Sequence, residues 1–400
     1  MKPKIGYLII REDIFSPIVK TQVLDMLKLI NKEEFDLVIL WACRFDYLLR
    51  NNEQYRKIES FLKENNIDLL RLPVFVLKFP LSKAQLKLLE IQLVLRLKLI
   101  IRRYNIRILH ARGYNAGYIS AKIREKYFPV KSIFDARSPY LTEIQSTYNI
   151  RSDSKKFRAW HSLERYILRN STISVATTDR FREYLLLNSN HVVTIPNNAE
   201  MTDKNQILAL SKSQARKSIC YVGSIGYGWN DIRIYAEFTK NIIEKYHDIH
   251  FEYYVHEKNI ETVVNEFHKI GIQKERYTVE NISPNEIQSK ISGCLCGMQI
   301  MSKPDVRLGI KTVDYLSSGV PVICNENAIG ANELVDKYKV GICFNDKVSA
   351  EVYRFIESQL ICNSDLALRC LNIAETKFST KAIAKMYEEI YKTCLSYNSE

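Results

Sequence analysis

The chain has 400 residues, 46% of them hydrophobic and 26% charged, which excludes a disordered chain and is more than one hydrophobic core usually organises, so two domains are expected. Charges interrupt every apolar run before the roughly 18 residues of a membrane-spanning helix, and the nine cysteines show neither a CxxC nor a His-containing metal spacing, which points to a reducing compartment and away from a metal centre. The net charge of +13 is one-sided: residues 1–200 hold 34 Lys and Arg against 20 Asp and Glu, whereas residues 201–400 hold 24 against 25. An anionic partner for the first half, a membrane surface or a nucleic acid, is therefore expected.

In chain order, KIGYLII reads as a first strand. Arg11, Glu12 and Asp13 follow it where a signal peptide would carry a small-residue cleavage site, so a cytoplasmic location is expected. FDLVILWA, IRILHAR and KSIFDAR are further strands with helical segments between them, the pattern of βα units around a parallel sheet. Residues 78–103, KFPLSKAQLKLLEIQLVLRLKLIIRR, are rich in Leu and Ile and carry seven Lys and Arg. Such a helix lies either in an anionic membrane interface or over a sheet with solvated ends. The polar, aperiodic NAEMTDKNQILALSKSQARK, residues 198–217, contains a linker, placed at 201–217. SICYVGSIG, HFEYYV, RYTVEN, CLCGMQIM and VPVICN are the strands of the second half.

GIKTVDYLSSGVPVICN, residues 309–325, reads as a short helix, a glycine stop and a buried strand. Ile310, Val313, Leu316 and Ser317 share its packing face, and Lys311, Asp314, Tyr315 and Ser318 a polar one. Read by itself, Lys311 with Asp314 is either a solvated pair contributing a few tenths of a kcal/mol or a functional polar face. The tail from Phe378 has Ile383, Met386, Tyr387, Ile390 and Tyr391 at helical spacing. The expected organisation is a basic N-terminal domain over 1–200, a C-terminal domain over 218–376 and a closing helix over 377–400. Two doubly wound domains place strand ends and helix starts at a cleft, where anions such as phosphate bind.

Several stretches, in order, resemble bacterial glycosyltransferase family 4, retaining enzymes of the GT-B fold: ILHARGYNAGY (108–118), IFDARSPY (133–140), LERYILRNSTISVATTDRFREYL (163–185), VVTIPNN (192–198), CYVGSIGYGWND (220–231), GIKTVDYLSSGVPVICNENAIGANELV (309–335) and KFSTKAIAKMYEEIY (377–391). The resemblance implies an α/β chain of two Rossmann-like, doubly wound parallel-sheet domains facing a central cleft. The implied activity is transfer of a sugar from a UDP- or GDP-sugar to a glycan or polyprenyl-linked acceptor in surface polysaccharide biosynthesis (capsule or lipopolysaccharide), at the inner face of the membrane, without metal or other cofactor. The absence of Asp-x-Asp agrees with that. Asp314 stands where the family has a ribose-holding Glu, and Lys311 resembles the lysine set against the donor diphosphate. Arg307, Tyr315, Gly223, Ser224, Gly330 and Asn281 are assigned to the donor side. His110 resembles a histidine near the reacting sugar, a place that falls to Arg112 under a shifted alignment. Asp135 and Arg137 are assigned to the acceptor side, with a local ion pair as the alternative.

The sequence departs from that pattern at two points. Val306 stands where many members have a Glu touching the transferred sugar, and no cation follows the VG of VGSIGYGWND. An inactive GT-B partner subunit and a sugar-nucleotide epimerase are therefore the alternatives. Nucleic-acid binding is not expected, because neither zinc-finger spacing nor an RRM-type aromatic motif accompanies the basic charge.

Overall fold

The computed structural model describes residues 2–45, 52–75, 81–127, 130–201, 203–205, 207, 217–226, 228, 230–345, 348–361 and 364–397. Most of the linker expected at 201–217 and the KFP that opens the 78–103 stretch lie outside the described residues. The chain forms two compact units, one of Met1–Pro196 with Ile383–Glu400 and one of Asn197–Ala382.

The first unit is built on β1 (Lys4–Ile10), β2 (Asp36–Ala42), β3 (Ile67–Arg71), β4 (Ile106–Arg112), β5 (Lys131–Asp135), β6 (Ile173–Ala176) and β7 (Val192–Thr194), in the spatial order β3-β2-β1-β4-β5-β6-β7. All six pairings are parallel. The central strands are near-continuous apolar runs because helices cover both faces of such a sheet. Three of these helices are α1 (Lys83–Tyr104), α2 (Gly113–Tyr127) and α3 (Lys155–Arg169). A capping box starts α1: Ser82 Oγ accepts from the Gln85 N–H, and Gln85 Oε1 accepts from the Ser82 N–H.

The second unit is built on β8 (Ser218–Val222), β9 (His250–Tyr254), β10 (Tyr277–Glu280), β11 (Cys296–Gln299), β12 (Val322–Asn325) and β13 (Gly341–Phe344), all parallel, ordered β10-β9-β8-β11-β12-β13. Its helices include α4 (Ile310–Ser317) and α5 (Ile329–Tyr338). The closing helix α6 (Thr380–Ser396) ends the chain, and its Ile383, Tyr387, Ile390, Tyr391 and Cys394 pack into one core with Ile5, Tyr7 and Ile9. That apolar stripe explains why the last residues belong to the first unit.

Strand order reverses between β1 and β4 in the first unit and between β8 and β11 in the second. In open α/β sheets the crevice at the carboxyl end of such a switch point is where ligands bind. β3, β6, β7 and β13 are additional to the strands read from sequence. Three of them are the short β3, β7 and β13 at sheet edges, where one-sided pairing and partial burial leave a weak apolar signal.

Candidate functional site

At the second unit's switch point the chain leaves β8 through Gly223, whose φ of +129° is open to glycine and strained for other residues. α4 brings Lys311 to this turn. Its Nζ donates to Tyr221 Oη (3.1 Å) and lies 4.3 Å from the centre of the Tyr221 ring. A side chain at Gly223 would meet Lys311, since a Cβ built there lies 3.5 Å from Nζ. Tyr221 Oη in turn donates to the Ser224 carbonyl (3.0 Å), which also accepts from Asn230 Nδ2 (3.2 Å). The turn, the aromatic ring and the ammonium form one interlocked group.

Burial, with the Arg307 charge adding to it and Asp305 opposing, lowers the Lys311 pKa to about 7. One turn along α4, burial and then Glu200 raise the Asp314 carboxyl to about 7. No ion pair joins Lys311 to Asp314 among the described residues, so the solvated-pair reading is replaced by two half-buried groups that separately resist charging. α4 also starts at Gly309 without a side-chain cap, whereas α1, α3 and the helices Asp179–Leu186 and Ile232–Lys245 are capped by Ser82, Ser154, Thr178 and Asp231. An uncapped helix start with an adjacent ammonium is a receptive place for a diphosphate.

The other donor-side expectations are placed unevenly. Arg307 is held by Asp305, its Nε lying 2.9 and 2.8 Å from the two carboxylate oxygens. Gly330 is buried, and the close approach it permits is to the protein's own backbone, because a Cβ there would lie 2.4 Å from the Arg307 carbonyl oxygen. Asn281 is exposed beyond β10 and donates to the Val255 carbonyl (3.0 Å). Tyr315 requires correction: it is fully buried against Gly297, accepts from the Val222 N–H (3.0 Å) and donates to the Met298 carbonyl (3.2 Å). Ser318 is likewise interior. Spacing put both on the polar face, but α4 is enclosed on more than one side, so its polar face narrows to Lys311 and Asp314.

In the first unit a pocket of about 410 Å³ opens at the carboxyl ends of β1, β4 and β5. Arg112 and Arg137 line it together with Arg11, Glu12, Tyr140 and Glu143. Arg112 Nε donates to Glu12 (2.8 Å), and Arg112 and Arg137 both donate to Gln22 Oε1 (2.9 Å each). Arg11 and Arg137 hold left-handed φ values of 65° and 60°, local strain at the pocket rim.

His110 and Asp135 lie behind this wall with no exposed surface. His110 Nδ1 bonds Tyr391 Oη (2.8 Å), its Nε2 is 3.7 Å from Asp135, and Tyr387 Oη donates to Asp135 (3.1 Å). Burial lowers the His110 pKa. Burial pushes Asp135 upward, but Arg137 and His110 outweigh it and hold that carboxyl at about 2. Arg112, not His110, therefore reaches the pocket. Asp135 with Arg137 is a 3.5 Å ion pair, of which only Arg137 faces the opening.

Sequence reasoning missed Tyr221, which holds Lys311, and Gln299, whose buried Oε1 has no hydrogen-bond partner among the described residues and faces Gly309 at the start of α4. It also missed Asn325, whose side chain bonds both the N–H and the C=O of Met301 (2.9 Å each). All three sit within or at the carboxyl end of a strand, which is the available signal. No group of three or more His, Cys, Asp or Glu suited to hold a metal occurs among the described residues.

No protein-family model matches the sequence, and no curated protein matches it. Solved structures do resemble this one. Alr3699/HepE of Anabaena, solved with UDP and glucose, is 13% identical with a TM-score of 0.65, over 98% of this chain and 100% of that one. Sucrose-phosphate synthase from Thermosynechococcus elongatus is 15% identical with a TM-score of 0.69, over 98% and 99%. The lipopolysaccharide outer core galactosyltransferase WaaB is 11% identical with a TM-score of 0.65, over 98% and 99%. At such identities the likeness concerns architecture, and the chain shares the GT-B fold of these structures, with one seven-stranded and one six-stranded parallel sheet.

Proposed function

We propose that the chain transfers a sugar from a nucleoside-diphosphate sugar, a UDP- or GDP-sugar, to a glycan or polyprenyl-linked acceptor. The observation that carries this reading is Lys311, held by Tyr221 beside Gly223 at the uncapped start of α4. A diphosphate arriving there supplies the opposite charge that the half-buried Lys311 ammonium lacks, and the ammonium then stabilises the phosphate charge that grows as the sugar leaves. Asp314, one turn on, is suited to two vicinal ribose hydroxyls, since each carboxylate oxygen accepts one hydrogen bond. Ser224 and Asn281 stand on the same donor side, and Arg112 and Arg137 take the acceptor side. HepE, solved with UDP-glucose, supports a sugar nucleotide as the ligand class. Membership of family 4, retention at the anomeric carbon, independence of metal and a place in surface polysaccharide synthesis rest on the order of the motifs. Titration calorimetry with UDP, GDP, ADP and their sugars tests the reading, and absence of binding at millimolar concentration refutes it.

A second reading, an inactive GT-B subunit, is favoured by Val306, which offers no carboxylate to the sugar. Donor binding without any transfer or hydrolysis of the sugar would select it.

A further inference from the structure

The helix α1 is apolar on two opposite sides. Leu86, Leu89, Leu93, Leu97 and Ile101 are buried toward the sheet, as expected of a covering helix. At 100° per residue, Leu88, Ile91, Leu95 and Leu99 form a second stripe on the far side, about 16 Å long, and their exposures are 44, 68, 64 and 59%. Four large side chains in register on one helix face are a contiguous patch and not scattered surface residues.

The patch is extended by aromatics held in place. Gln92 accepts from the Phe75 N–H (2.7 Å) and donates to the Phe75 carbonyl (3.0 Å), while Arg96 donates to the Pro73 carbonyl (2.8 Å). These bonds clamp the segment to α1 beside the stripe. Phe75 is 65% exposed and stacks on the exposed Phe45, with ring centres 5.4 Å apart. Aromatic rings at the border of an apolar surface suit the boundary between lipid headgroups and acyl chains.

The surrounding charge is predominantly positive, although Glu125 pairs with Lys122 at 3.3 Å. Helix α1 carries six Lys and Arg against the single acid Glu90, which is already engaged by Lys87 and Tyr118. Helical geometry sets Lys87, Lys98 and Arg102 along one flank of the stripe and Arg96 and Arg103 along the other. Next to Lys87 a hollow of about 830 Å³ is lined by five lysines, Lys83, Lys87, Lys122, Lys155 and Lys156, over a floor that includes Leu86 and Leu163. A second copy docked by two-fold symmetry would set this basic rim against itself. An anionic bilayer complements both the stripe and the rim.

From this geometry we infer that the outer face of α1, with Phe45 and Phe75, is a docking surface for anionic phospholipid bilayers. The helix lies in the membrane plane with its stripe at acyl-chain depth and its lysines among the headgroups. The inference is independent of the sugar-transfer reading. It is tested with the full chain by co-sedimentation with phosphatidylcholine vesicles with and without phosphatidylglycerol. Binding to the anionic vesicles should exceed binding to neutral ones by about tenfold or more at low ionic strength and decline as salt is raised. Ile91→Glu with Leu95→Glu, both on exposed positions, should lower it by about tenfold or more with an unchanged melting temperature. Lys98→Glu with Arg102→Glu should do the same. Equal binding to neutral vesicles, or undiminished binding by the Ile91/Leu95 variant, would overturn the proposal. So would a dimer in solution that this variant disperses, or duplex DNA bound more tightly than anionic vesicles.

Discussion

Donor binding should be linked to proton uptake through Lys311. The perturbation is pH. In the unliganded protein the Lys311 pKa is about 7, so at pH 8 roughly one molecule in eleven carries the proton. A diphosphate against Nζ restores the charged form, and binding at pH 8 should therefore take up about 0.9 proton through Lys311, or about 0.8 net once the roughly 0.1 proton that Asp314 gives up is counted. Between pH 8 and 9 the dissociation constant should rise about tenfold, roughly 1.4 kcal/mol. On the acid side Asp314, also near 7, must lose its proton to hold the ribose as a carboxylate, so affinity should fall below neutrality as well. The affinity profile is thus a bell centred near pH 7. Titration calorimetry of the UDP-sugar that binds, repeated at pH 8 in phosphate and in Tris, reads the uptake directly from the difference in apparent enthalpy. Lys311→Met should abolish it and flatten the alkaline limb. A wild-type uptake near zero, or an uptake that survives in Lys311→Met, would refute the assignment of Lys311 to the diphosphate.

Other expectations follow from the same geometry. Lys311→Ala should lower turnover by about 100-fold or more while weakening nucleotide binding less, and Asp314→Asn should weaken binding by about 1.5 to 3 kcal/mol; steady-state kinetics with calorimetry separates the two. The same groups shape unliganded stability. Asp314, raised from 3.8, makes stability fall as pH rises from about 4 to 7, whereas Lys311, lowered from 10.5, makes it recover from about 7 to 10. Denaturant midpoints of Asp314→Asn should lose the acid limb of that trough. Tyr315→Phe strands the Val222 N–H and should cost about 1 to 3 kcal/mol in chemical denaturation, distinguishing an interior tyrosine from a ligand-facing one. Asp135, depressed to about 2, contributes stability that is complete above about 4 and lost as pH falls through 2; acid denaturation of Asp135→Asn should lack this component.

The sequence by itself determined the class of the fold and pointed to the 309–325 segment as a candidate site. Apolar runs such as KIGYLII and VPVICN, alternating with helical spacing, specify buried parallel strands because a strand covered on both faces needs apolar residues at every position. Helical periodicity put Lys311 and Asp314 on one polar face together with Tyr315 and Ser318, and only the family resemblance singled the two out as donor-side candidates. Only the tertiary structure decided which groups reach an opening. Tyr315 and Ser318 share that helical face but fall inside, since burial depends on what surrounds α4 and not on its own period. His110 ends up behind Arg112 for a related reason: α6, some 270 residues later, supplies Tyr387 and Tyr391 to enclose it, and no local pattern encodes a partner at that separation. Likewise the lowered pKa of Lys311 arises chiefly from burial, which depends on packing against residues such as Tyr221, ninety positions earlier in the chain, while the Arg307 charge that adds to it is a sequence neighbour. The 78–103 stretch left two readings open, a covering helix or an interfacial one. The structure gives α1 the covering role on one side and leaves Leu88, Ile91, Leu95 and Leu99 exposed on the other, because a helix packed on a sheet buries only the half that faces it.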